Sequence, residues 1–130
     1  MKGLTDFNKQ CIYDCYNLMR DCVNFEHIED FEFIDSAIKK IERYKIALPS
    51  EVYKQINSFI IENLHPILDD PCFFSAIESP KFGNFNKDGV FEINSDESLN
   101  QIIYIMAEIS ADIAHKIDSF AEQYMVPYLI

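Results

Sequence analysis

NSDESLNQIIYIMAEISADIAHKIDSFAEQYM, residues 94–125, is the stretch that decides the fold. Leu99, Ile102, Ile103, Met106, Ile113, Ile117 and Phe120, with Ser110 among them, trace a seam close to a 3.5-residue repeat. No Gly or Pro interrupts the run before Pro127. At its start Asn94 with Glu97 reads as a capping box, and Ser95 is an equally good cap. A helix of about thirty residues spans ~45 Å at 1.5 Å per residue. Its seam is one-sided, so the rest of the chain must supply the layer that covers it.

Three more helices are expected upstream. Residues from about Thr5 to Phe25 carry two apolar stripes, Phe7/Cys11/Cys15/Leu18/Cys22 and Ile12/Tyr16/Met19/Val23, wide enough to pack on two neighbours. A second helix, about Phe31 to Tyr44, places Ile34, Ala37, Ile38, Ile41 and Tyr44 at helical spacing. It is entered through Glu29, Asp30 and Glu32 and left through Lys39, Lys40, Arg43 and Lys45, which complements the helix dipole. Pro49, Ser50 and Glu51 open a third helix carrying Val52, Ile56, Phe59, Ile60 and Leu64, kinked or ended by Pro66. Between the third and last helices, Lys81–Phe85 and Val90–Ile93 flank Asn86-Lys87-Asp88-Gly89 and read as a short hairpin or structured loop. The fold class is therefore mainly α. The expected architecture is a single domain, residues 1–130, built as a four-helix bundle-like fold with a short β excursion between helices three and four.

Charge is unevenly distributed. The chain carries 22 acidic and 11 basic residues among 130, a net charge of −11. Between Arg20 and Lys39 stand Asp21, Glu26, Glu29, Asp30, Glu32 and Asp35 with no base among them. From Asp88 to Glu122 the only Lys or Arg is Lys116, while Lys39–Lys54 is locally basic. Phosphate backbones and anionic lipids repel such a chain, so neither nucleic acid nor membrane is an expected direct partner. A basic protein is the natural complement. No apolar run reaches the roughly 18 residues needed to span a bilayer, and MKGLTDFNKQ has no apolar signal core, so a cytoplasmic location is expected.

Motifs for chemistry are weak. Cys11, Cys15 and Cys22 fall on one helical face and Cys72 stands alone, with no C-x2-C knuckle for zinc, so they read as small apolar core residues. Glu62-Asn-Leu-His65 and Asp112-Ile-Ala-His115 have the spacing of di-iron carboxylate bundles, whose ligands project into the bundle core. Here both pairs lie well off the apolar centres of their helices and face water. Asn84-Phe-Asn86-Lys-Asp88-Gly89 matches the first half of an EF-hand loop, but Ser95 stands at the twelfth position instead of a bidentate Glu. No nucleophile elbow, phosphate-cradling loop or metalloprotease His pair is present. No catalytic residue, metal ligand or cofactor is expected.

Arg20-x6-His27 in a four-helix chain resembles the small ribonucleases of the HEPN superfamily, in which Arg and His act on a phosphodiester. That resemblance implies an RNase using Arg20 and His27, although Asp21 departs from what many members carry after the Arg. Glu26, Glu29 and Asp30 around His27 would repel an RNA backbone.

The strongest functional signal is the acidic surface. Glu108, Asp112, His115 and Glu122 lie on one ridge of the last helix opposite its seam, with Tyr104 beside them. Glu29, Asp30 and Glu32 belong to a second block interleaved with Phe25, Phe31 and Phe33. Aromatic anchors supply binding energy and charge supplies on-rate and specificity. These residues are the candidate partner-binding set. The expected function is inhibition by protein–protein binding, as in an immunity protein or antitoxin that blocks the basic active site of a nuclease or other toxin. The alternatives are the HEPN-like ribonuclease and a structural subunit whose last helix forms a homodimer seam.

Overall fold

The computed structural model describes residues 4–24, 27–28, 30–70 and 73–130. In chain order it comprises α1 (Asp6–Cys22), α2 (Phe31–Arg43), a 3-10 turn (Tyr44–Ala47), α3 (Ser50–Asn63), a one-turn α4 (His65–Asp69), β1 (Gly83–Phe85), β2 (Phe91–Ile93), α5 (Asp96–Tyr124) and a closing 3-10 turn (Val126–Tyr128). The mainly α bundle-like architecture with a small hairpin before the last helix is as the periodicity anticipates.

Local chemistry sets the boundaries. Thr5 caps α1 reciprocally with Asn8, and the Asn8 amide also donates to the Ala47 carbonyl at 2.6 Å, tying the helix start to the 3-10 turn. Asp30 caps α2, its carboxylate accepting from Phe33 N–H at 3.0 Å. Ser95, not Asn94, caps α5 by accepting from Ser98 N–H at 3.1 Å. Asn94 has a different task. Its backbone N–H donates to Phe82 O, its side-chain amide donates to Lys81 O, and its Oδ1 accepts from the Ser98 hydroxyl at 2.6 Å. One side chain thus fastens the hairpin base to the helix start. Pro66 both ends and restarts a helix: α3 stops at Asn63, and α4 takes the proline in its first turn, where the missing N–H costs nothing.

The hairpin is antiparallel with Gly83 opposite Ile93 and Phe85 opposite Phe91, whose rings meet edge-on at 5.2 Å. Gly89 N–H donates to Asn86 O and Gly89 has φ 78°, a left-handed position that suits glycine after a tight turn. The Asn86 side-chain oxygen accepts from the N–H of Asp88 and of Val90. The oxygen that an EF-hand would offer to calcium is therefore committed to shaping the turn.

Ile12 and Met19 of α1, Ile34 and Ile41 of α2, Ile56 of α3, Ile67 of α4 and Ile117 of α5 form the fully enclosed centre, closed at one end by Met125. α5 lies against α1, α3 and β2. Its buried seam runs Ser98, Ile102, Met106, Ser110, Ile113, Ile117, Phe120 and Ala121. Leu99 and Ile103, assigned to the seam from spacing, are instead 40% and 43% exposed. At that end the helix rests on a three-residue strand, too short to cover both flanks. Phe7, assigned to the first stripe of α1, is also exposed at 67%. The rest of the seam is filled by the chain's own core.

Ser110 is the one polar flaw in that seam, its hydroxyl buried with no hydrogen-bond partner among the described residues. An unpaired buried hydroxyl costs roughly 1–3 kcal/mol in desolvation. Ser110→Ala also raises helix propensity. The substitution should therefore raise the urea midpoint by an amount equivalent to about 1 kcal/mol; a lower midpoint would mean that the hydroxyl has a partner.

Candidate functional site

Four ion pairs occur among the described residues: Arg20–Asp118 at 3.7 Å, Lys39–Asp35 at 2.9 Å, His65–Asp69 at 3.6 Å and Lys116–Asp112 at 3.4 Å. All are solvated at both partners, so each adds at most about 1 kcal/mol to stability. Glu32, Glu108 and Glu122 have no cationic partner among the described residues. The acidic excess therefore stands at the surface largely uncompensated, where it generates a field.

Tyr104, Glu108, Asp112, His115 and Glu122 are all exposed on α5, on the side away from its seam. They do not form one strip. Glu108 and Asp112 border a groove of about 380 Å3 between α5 and the α3–α4 corner, shared with Glu62 and floored by Ile105, Ile109 and Phe73. Glu122 borders a separate cleft of about 230 Å3 formed with α1 and the closing turn. The ridge splits because α5 has neighbours on both shoulders, α3 on one and α1 on the other, and each opens its own depression.

In that second cleft Tyr16 donates its hydroxyl to Asp118 Oδ1 at 2.6 Å, and Arg20 reaches the same carboxylate. The hydrogen bond to Asp118 raises the Tyr16 pKa above its ordinary value, burial adds to this, and Arg20 opposes it. Tyr16 is thus a firm O–H donor at neutral pH. Neither this pairing across 102 positions nor the cleft it lines has any signature in local spacing, so sequence reasoning reached only Glu122 at the rim.

The acidic block near α2 is partly structural. Asp30 is occupied as the α2 cap, Glu32 is exposed in the first turn, and Glu29 lies outside the described residues, as do Glu26 and Phe25. Phe31 is half exposed and stacks on Phe74 at 6.2 Å, whereas Phe33 is partly covered by His27, with ring centroids 4.0 Å apart and nearly parallel.

The proposed Arg–His pair has its members engaged separately. Arg20 faces Asp118 of α5, while His27 stacks on Phe33 of α2.

Glu62, Asp112 and His115 are exposed, and half-buried His65 pairs with Asp69. No group of three or more His, Cys, Asp or Glu able to hold a metal converges among the described residues. Cys11, Cys15 and Cys22 are buried free thiols, and Cys72 lies outside the described residues. Burial, reinforced for Cys15 by Cys11 and Asp14 and for Cys22 by Asp21, pushes Cys15 and Cys22 up to about 12. Those two thiols are poor nucleophiles at neutral pH. No helix among the described residues is long and apolar enough to cross a membrane.

Comparison with protein-family models, with curated proteins and with solved structures returns no match.

Proposed function

We propose that this protein acts by binding a basic protein partner in the cytoplasm, as an inhibitor of the immunity-protein or antitoxin type that occupies the basic site of a nuclease or other toxin. The observation that carries this reading is the α3–α4/α5 groove, where Glu62, Glu108 and Asp112 stand over Ile105 and Ile109. Carboxylates above an apolar floor combine electrostatic steering with a desolvated contact. Among them Asp112 alone has a nearby cation, Lys116, and that pair is exposed and weak.

A partner captured by pull-down from the native host would provide the assay. The double reversal Glu108→Lys with Asp112→Lys should slow association at low salt and weaken binding by at least about 1–2 kcal/mol. The difference should shrink as ionic strength rises toward the short Debye length of ~3 Å at 1 M. Folding should survive, because both positions are exposed. An association rate indifferent to both the reversal and the salt would remove the groove from the interface.

A further inference from the structure

The cleft between α1, the C-terminal turns of α5 and the closing 3-10 turn is distinct from the groove just described. Its floor is apolar: Ile12, Ala121 and Met125 are buried there, and half-buried Leu129 closes one side. Tyr13 stands exposed at the rim beside Glu122, and the Tyr16–Asp118 pair forms the inner wall. About 230 Å3 is below the ~300 Å3 at which small-molecule and cofactor sites begin, but is ample for one bulky side chain.

Charge decides what kind of chain would carry that side chain. Asp118 is already shared by Tyr16 and Arg20, whereas Glu122 has no cationic partner among the described residues. The phenol faces of Tyr13 and Tyr16 favour a cation nearby as well. An occupant flanked by lysine or arginine satisfies the rim, and one flanked by acids would meet Glu122 and the net charge of −11. A second copy of this chain brings the same −11. Among the described residues its matching feature is Ile46, 96% exposed beside Lys45.

We infer that this cleft is the anchor pocket for a bulky aliphatic side chain set between lysine or arginine residues on the basic partner, an inference that rests on the reading of the protein as a binder of such a partner. The groove at Glu108 and Asp112 then steers approach, and the cleft holds what has arrived. This division matches interfaces in which a buried anchor carries affinity and surrounding charge carries rate.

The probe is a set of capped peptides with the central sequences Lys-Leu-Lys, Lys-Ala-Lys and Glu-Leu-Glu, titrated while the methyl resonances of Ile12, Ala121 and Met125 are followed by NMR. Lys-Leu-Lys should give saturable shifts at these methyls. Lys-Ala-Lys should bind about tenfold more weakly, as expected when a pocket loses its aliphatic filling. Glu-Leu-Glu should give none. Ala121→Phe, which fills the cleft, should abolish the Lys-Leu-Lys shifts. Glu122→Lys, exposed and safe for folding, should weaken them about three- to tenfold at low salt. Absence of saturable shifts, equal response to Glu-Leu-Glu, or persistence in both variants would overturn the assignment. Sedimentation of the wild type alone as a dimer or larger species, lost in Ile46→Glu, would also overturn it, by making a second copy the occupant. The Glu108/Asp112 reversal, assayed on the captured partner, reports on the groove separately. Failure of the peptides alongside intact salt-dependent partner binding therefore removes the cleft proposal alone.

Discussion

Ile117→Asp is expected to abolish cooperative folding at 25 °C. Ile117 is 0% exposed and sits where α5 meets the centre of the core. A carboxylate there must either remain charged without a partner or take up a proton, and both cost several kcal/mol in addition to the lost aliphatic burial. Domains of this size are stable by only about 5–15 kcal/mol, so the variant should lose most of that margin. Ile113→Asp, nearly as buried, should lose several kcal/mol in the same way. His115→Ala, two residues away on the solvated side, should shift stability by less than about 0.5 kcal/mol. Urea melts with circular dichroism decide the matter. If His115→Ala proved severe and Ile117→Asp mild, α5 would be rotated by half a turn from the orientation described here.

Gly83→Ala should be the most damaging methyl that can be added to the hairpin. A Cβ at Gly83 would lie 2.0 Å from Glu92 O, 2.8 Å from Glu92 C and 3.0 Å from Ile93 Cα. These are backbone atoms of the paired strand and cannot rotate away, so the strands must part. Overpacking of this kind costs about 1–3 kcal/mol. The disturbance should spread to the start of α5, because Asn94 joins the hairpin base to Ser98. Gly89→Ala is the informative contrast: nothing lies within 4 Å of its Cβ, and only the φ of 78° penalises it, by about 1 kcal/mol. Amide exchange at Asn94 should accelerate strongly in the first variant and little in the second. A larger effect at Gly89 would mean that Gly83 and Ile93 are not opposite each other.

The helices were legible because their signals are local. α2 shows acids at its entry, cations at its exit and Ile34, Ala37, Ile38 and Ile41 at helical spacing, and it runs where these place it. The turn at Asn86–Gly89 was likewise legible from four residues. What spacing cannot state is which element stands opposite a face. Leu99 and Ile103 lie in register with the seam, yet that end of α5 has only a short strand to cover it. The ridge residues were correctly placed on the solvated side of α5, but their division between two depressions depends on where α1 and α3 pack. Tyr13, Tyr16, Met125 and Leu129 meet around Glu122 only through contacts about a hundred positions apart, and no window along the chain contains them together.

Cys11, Cys15 and Cys22 line the inner face of α1 at less than 3% exposure, and burial holds two of them near 12. A thiol so placed meets an alkylating reagent only when the helix that carries it leaves the core. The native sequence thus contains its own stopwatch. Labelling of these three sulfurs with time counts opening events of α1, and their order separates fraying of one end from release of the whole helix. With closing fast relative to alkylation the labelling rate reads the opening equilibrium, and with closing slow it reads the opening rate itself. No introduced probe is needed to learn whether occupation of a surface depression holds α1 in place, because the sulfurs carried by that helix would keep the time.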